Sequence, residues 1–303
     1  MSSLIQPDPT AIGDVSTPPF AVLPDPLVLF TNRARRLREL SAVSEMAPYL
    51  DFVAGIVEAQ AAILPGLPEP ERPDVEALAR AREFEMPPLD RTRFALDEVV
   101  ETTLDALFDA VRAVPKPETA ANALGRVSRA DAIARAEMVS NVLGHAIPVE
   151  ALAEHVYVAA ALQVHFARLA SRLDVSQLVA VGDGLCPVCG GPPVASLIVE
   201  WPTAHGSRFC ACALCGTLWN YVRIRCTSCG STKGIGYQEI EGGQGTIKAE
   251  TCDECRTYVK VLHQHKDVGI EPLADDVASL ALDLLMREGP YRRAAFNPFL
   301  LGY

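Results

Sequence analysis

Eight of the nine cysteines in this chain form four C-x-x-C pairs, and the pairs repeat at a fixed offset of 40 residues. Cys186 and Cys189 recur as Cys226 and Cys229, and Cys212 and Cys215 recur as Cys252 and Cys255. Each unit reads C-x2-C-x22-C-x2-C, stated twice. Two cysteines so spaced in a tight turn aim both sulfurs at one point, and four thiolates close a tetrahedral metal site. Two such sites, one per unit, account for the pattern. The alternative is a cross-brace joining Cys186/Cys189 to Cys226/Cys229; duplication of a complete unit favours the serial pairing. Zinc and single iron ions both suit four thiolates, so the spacing leaves the metal open. Ordinary buried cysteines or disulfides give no reason for a duplicated spacing.

Glycine follows three of the pairs (Gly190, Gly216 and Gly230), where such a turn often needs a positive φ. Arg256 stands in the fourth position and makes that knuckle the least regular. Cys210, the ninth cysteine, reads as a small apolar filler. After the first pair of each unit comes a short β-arm, Ala195–Trp201 and then Gly234–Glu241, followed by a turn and a return arm. Each unit is therefore expected to be a β-hairpin with a metal knuckle near each end, a ribbon.

Ahead of the ribbons the periodicity is helical. Two helices are expected between Pro26 and Leu64, a third near 96–113, another from Arg129 to Leu143, and one over 149–172 that is apolar nearly all round, as a buried bundle helix is. A tail helix over 273–288 carries Leu273, Val277, Leu280, Leu284 and Leu285 as a stripe, with Asp275 and Asp276 at the positive end of its dipole. The expected fold is multidomain, α plus small β: a mobile lead-in (1–25), an all-α domain (26–182), two tandem four-cysteine ribbons (183–222 and 223–268), and a C-terminal helix and tail (269–303). The metal region should need its ions to fold, whereas the helical domain should have a core of its own.

Composition narrows the function. No run of 18 uncharged apolar residues is present, so no membrane insertion is expected. The start lacks a secretory signal pattern. Paired thiolates survive as metal ligands in a reducing compartment, which points to the cytoplasm. A net charge of −11 weighs against nucleic acid or anionic lipid as a general partner. From Trp201 to Gln238, however, there is no acidic residue. Within that stretch Trp219, Tyr221, Arg223 and Arg225 alternate, which would place all four on one face of an extended strand. That face suits an acidic protein segment or, less well, nucleic acid, unless it is merely a solvated linker whose Trp packs inward. Arg33, Arg35, Arg36 and Arg38 read as one solvated helix face, or else a docking surface. His155 and His165 read as satisfied core histidines, and His263 and His265 as surplus to two complete sites. No phosphate-binding loop or catalytic triad is recognisable, and the chain is not expected to be an enzyme.

Several segments together resemble the FdhE-type formate dehydrogenase accessory proteins. They are Arg33-x-x-Arg36-Leu37 followed by Tyr49-Leu50-x-Phe52, CPVCG at Cys186–Gly190, and CALCGTLWNYVRIRCTSCG at Cys212–Gly230. CDECRTYVKV at Cys252–Val261 and the ending EPLADDVASLALDLLMREGPYRRAAFNPFL complete the set. The resemblance implies a cytoplasmic assembly factor that binds the catalytic subunit of respiratory formate dehydrogenase. It also implies rubredoxin-like sites on the eight paired cysteines, carrying iron in preference to zinc. Two other functions compete: an electron-transfer or redox-sensing iron protein, and a zinc-ribbon nucleic-acid-binding protein.

Overall fold

The computed structural model describes residues 17–302. Seven α-helices form the first layer: α1 (Pro26–Ser41), α2 (Ala47–Ile63), α3 (Val75–Glu83), α4 (Glu98–Val111), α5 (Glu118–Ser128), α6 (Ala132–Gly144) and α7 (Leu152–Ala170). Aspartates start many of them. Asp25, Asp74, Asp97 and Asp131 each accept a hydrogen bond from a backbone N–H in the first turn of α1, α3, α4 and α6, satisfying donors that have no intrahelical partner. The all-round apolar α7 sits at the centre. Its Tyr157, Leu162, Val164 and Phe166 are at most 1% exposed, and each such burial contributes roughly 1.5–3 kcal/mol. α2 (with its extension to Gly66) is long and apolar enough to cross a membrane, but its Leu50, Val53, Ile56 and Val57 are fully buried in this core.

Two helices, α3 and α5, stand where none was expected. α3 is nine residues long and buries none of them, so its apolar positions Val75, Leu78 and Ala79 make too brief a stripe beside the proline-rich 65–73. α5 follows immediately on Pro115 and Pro117, which mark a break and also open the next helix at Pro117.

The second layer is one sheet. β1 (Ala21–Val22), β2 (Pro193–Ile198), β3 (Arg208–Cys212), β4 (Leu218–Asn220), β5 (Ile235–Gln238), β6 (Ile247–Cys252) and β7 (Thr257–His263) lie in the order β1-β4-β3-β2-β7-β6-β5. Each cysteine unit forms a three-stranded antiparallel meander, β2-β3-β4 and β5-β6-β7. The two ribbons are not separate bodies: β2 and β7 pair in parallel, Ser196 opposite Val261 through Ile198 opposite His263. Of the lead-in, residues 1–16 lie outside the described residues. Residues 21–22 join the sheet as β1, antiparallel to β4.

The tail is two helices, α8 (Pro272–Ala278) and α9 (Leu280–Arg287), before a short β8 (Arg292–Arg293) beside β7. The break at Ser279 shifts the helical phase. Leu273 and Val277 face the core as expected, but beyond the break Leu282 and Met286 turn inward, leaving Leu284 and Leu285 at 46% and 51% exposure.

Ion pairs lock the tail to the rest. Arg33 and Arg36 are not on a solvated face: both are buried, Arg33 against Glu271 at 2.9 Å and Arg36 against Asp275 at 2.7 Å. Only Arg35 and Arg38 are exposed, pairing with Glu39 and with Asp51 and Glu58. Asp276 is likewise no simple dipole partner. It is buried with Asp283 between the Lys260 ammonium and the Arg293 guanidinium, two cations balancing two carboxylates in a water-poor site.

The helices and the first ribbon share one apolar core that runs from Leu37 and Phe166 to Cys186, Phe209 and Trp219, while β6, β7 and α9 enclose a smaller one around Ala249, Tyr258, Leu282 and Met286. The helical region therefore has no core separate from the first ribbon.

Candidate metal centres

The eight paired cysteines gather into two groups of four, Cys186/Cys189/Cys212/Cys215 and Cys226/Cys229/Cys252/Cys255, with all sulfurs of a group within 4.8 Å of one another. The grouping is serial, and the cross-brace does not form. Within the groups the closest sulfurs are 3.6 Å (Cys186–Cys215), 3.4 Å (Cys189–Cys212), 3.6 Å (Cys226–Cys255) and 3.7 Å (Cys229–Cys252) apart. Tetrahedral sulfurs at a metal bond of about 2.3 Å stand about 3.8 Å apart, so both groups can hold a metal ion. Burial pushes the thiols of Cys186 and Cys215 well up and Cys226 to about 12, whereas hydrogen bonds pull Cys212 well down and, against its burial, Cys255 to about 7. One thiolate in each group is held by its neighbours, and ionising all four requires a cation among them.

Local sequence explains the shape. In every knuckle the residue after the second cysteine donates its N–H to the carbonyl of the first, at 2.9–3.2 Å. That closure puts Gly190, Gly216 and Gly230 at φ +70 to +74°, and Arg256 follows them at +55°. At Gly216 a Cβ would also come within 2.5 Å of Leu29, and at Gly230 within 2.5 Å of Asp183. Arg256 is exposed, so the fourth knuckle meets only the conformational cost and tolerates a side chain. A hydroxyl repeats with the cysteines: the Cys215 thiol donates to the Thr217 hydroxyl at 3.2 Å, and the Thr257 hydroxyl lies 3.0 Å from the Cys255 sulfur.

The two centres differ in their surroundings. The first is sealed, with all four cysteines at most 3% exposed, and is hydrogen-bonded into the helical layer. Leu89 donates its N–H to the Val188 carbonyl at 2.9 Å. Gln60 donates to the Gln163 side-chain oxygen, and Gln163 donates to the Ala213 carbonyl inside the second knuckle. At the second centre Cys229 is exposed and Cys255 half-buried. Cys210 is buried outside both groups, 3.6 Å from the Ser196 hydroxyl. His155 is held by the Ala151 carbonyl, and neither His263 nor His265 enters a group.

The segment joining the ribbons departs from its expected form. β4 ends at Asn220 and the chain turns at Arg223 and Ile224, so alternation does not continue and the four residues do not share a face. Trp219 is 3% exposed in the core. Tyr221 donates its hydroxyl to the Cys226 carbonyl at 3.0 Å. Arg225 donates to the Gly230 carbonyl and pairs with Asp183 at 2.7 Å, bracing the third knuckle. Arg223 alone is solvent-exposed.

Beneath that turn lies a residue to which the sequence assigned no role. The Arg208 side chain is 0% exposed and pairs with Glu250 of β6 at 2.8 Å. It also donates to Ser196 and to the carbonyls of Val222, Arg223 and Arg225 at 3.0–3.4 Å, and stacks on Tyr221. One guanidinium thus bolts the first ribbon, the linker and the second ribbon together. An arginine inside a β-strand next to Phe209 was the available signal.

Fold and site define a helical protein carrying a duplicated four-cysteine metal module. Three family models cover the chain: FdhE, N-terminal over residues 18–183, FdhE, central domain over 185–223, and FdhE, C-terminal domain over 224–300. A protein FdhE homolog of Rhizobium meliloti is 46% identical across 99% of both chains. One from Pectobacterium carotovorum is 34% identical over 90% of this chain and 87% of that one. The crystal structure of the FdhE protein from Pseudomonas aeruginosa superposes with a TM-score of 0.84 at 32% identity, covering 94% of this chain and 99% of that chain. The chain belongs to the FdhE family, the formate dehydrogenase accessory proteins.

Proposed function

We propose that this protein acts in the cytoplasm, binding the catalytic subunit of a formate dehydrogenase while that enzyme matures, and that it does so as a binding factor and not as a catalyst. The observation that carries the reading is the pair of four-cysteine centres set into a single sheet on a helical scaffold. In this proposal the ligands are Cys186, Cys189, Cys212 and Cys215 for one ion and Cys226, Cys229, Cys252 and Cys255 for the other, with iron preferred to zinc. A bound ion would supply a cross-link between two knuckles that the small ribbon cores do not provide alone. Tyr221 and Arg225 would hold the linker in shape, Trp219 would anchor it in the core, and Arg223 would reach the client.

A direct test is to purify the protein without oxygen, determine metal content and optical spectrum together, and measure its binding to the purified catalytic subunit by calorimetry. Two ions per chain and saturable binding are expected; a protein that holds two ions but does not bind the subunit would refute the client. The exposure of Cys229 favours a second reading, a redox-sensing iron centre. Reversible bleaching of a visible band on reduction, confined to the second centre, would favour it.

A further inference from the structure

We infer that the turn Val222–Arg223–Ile224 is the tip through which the protein grips its client, and that the client segment it fits is short and carries an acidic side chain between apolar ones. The inference rests on the accessory reading above and extends its Arg223 contact to a tip of three residues and the kind of segment it fits. Val222 and Ile224 are 57% and 59% exposed, two large aliphatics side by side on either flank of an exposed arginine. Arg223 makes no side-chain hydrogen bond or ion pair among the described residues, whereas Arg208 and Arg225 on either side of the turn are both engaged. A free cation on a protein of net charge −11 concentrates positive potential at one point.

The neighbourhood extends the same chemistry. Tyr237 of the second ribbon, 47% exposed, stands near the turn, and Arg223 lies close enough to act electrostatically on Tyr237 and on His263. The other charged and titratable groups acting on His263 are His265, Lys248 and Lys266, all basic. The carboxylates nearby are already engaged, Glu239 with Lys248 and Glu250 with Arg208.

The turn is also stiff. Its Val222 and Arg223 carbonyls accept from the Arg208 guanidinium beneath, so the backbone polar groups point inward and the three side chains outward. A loop ordered before contact loses less entropy on binding, and an arginine between apolar groups is the composition of an interface hot spot.

The test uses the whole metal-loaded protein and the purified formate dehydrogenase catalytic subunit as probe. Arg223→Glu should weaken binding at least tenfold, and the pair Val222→Ser with Ile224→Ser should do so too, with metal content and helical circular dichroism unchanged in both. Raising salt should weaken the wild-type complex and leave what remains of the Arg223→Glu complex almost unaffected. Wild-type binding that both variants retain overturns the tip while leaving the accessory reading intact. A wild-type protein that does not bind the subunit overturns the accessory reading, and this inference falls with it. Should Arg223→Glu lose metal, the serine pair decides alone.

Discussion

Replacing Arg208 with methionine should be among the most damaging single changes outside the cysteines, and its size follows from the geometry. The guanidinium is wholly buried and its partner Glu250 nearly so. Removing one member of a buried pair costs about 3–5 kcal/mol, chiefly because the other charge stays behind unpaired. The linker carbonyls that lose a donor lie near the surface, where water can reach them, and add little. Against a domain stability of about 5–15 kcal/mol, a loss of that size brings the ribbons near unfolding. The deficit should also depend on pH. Burial pushes the Glu250 carboxyl up, while Arg208 and the Tyr237 hydroxyl pull it back. Without Arg208 the carboxyl moves further up. A carboxyl whose folded pKa is raised favours the fold below its unfolded pKa and loses that contribution as pH rises through the folded one. The gap between variant and wild type should therefore be widest near neutrality and narrow as acid protonates Glu250. Urea midpoints of the metal-loaded protein, with hydrogen exchange at the 221–226 amides as a local reading, measure both. Adding Glu250→Met should recover most of the loss, because an apolar pair leaves no charge stranded. A deficit that is independent of pH and equal in single and double variants would refute the argument.

Under a competing chelator the second centre should release its ion first, since Cys229 is exposed and the first centre is sealed; release in the opposite order, followed with Cys→Ser variants of each centre, would contradict this. Because α1, α2 and α4–α7 share a core with the first ribbon, stripping that first ion should also reduce helical circular dichroism, and an unchanged helical signal would show the helices fold alone. Arg256→Gly should be neutral or stabilising by up to ~1 kcal/mol because it relieves a left-handed backbone, whereas Gly216→Ala should cost roughly 1–3 kcal/mol in thermal or urea unfolding. Burial holds His165 down at about 4, so only the unfolded chain takes up its proton between about pH 6.5 and 4. Stability should therefore be lost as the pH is lowered through that window, by up to about 1.4 kcal/mol per unit, and His165→Gln should flatten the slope.

Much of this was readable in the residues. The 40-residue offset located both four-cysteine groups, and the all-round apolar pattern over 149–172 located the central helix, which runs over Leu152–Ala170. Features that depend on distant partners were not readable. Nothing local to Arg33 or Arg36 announces Glu271 and Asp275, more than two hundred residues away, and a surface arginine has the same letter as a buried one. Alternation along Trp219–Arg225 misled because period-2 reasoning holds only while the strand lasts, and this strand ends at Asn220. Helix α3 escaped because it is nine residues long and its Val75, Leu78 and Ala79 give a single turn of pattern directly after a proline-rich segment.

The parallel joint between the ribbons bears on how many units such an array can contain. It sets residues 196–198 of the first unit against 261–263 of the second. Shifted by the 40-residue offset, its halves are 236–238, on the outer strand β5, and 221–223. Had 221–223 continued β4 as a strand, each molecule would display both halves of a head-to-tail joint. Repeated contacts of that kind do not close on themselves and grow into fibres. Instead β1 covers the outer edge of β4 as far as Asn220, Tyr221 still donates its N–H to the Arg208 carbonyl, and the chain then turns at 223–224, where the Arg208 guanidinium occupies the Val222 and Arg223 carbonyls. The duplication carries its own stop: the second unit finds a mate in the first, and a third finds none.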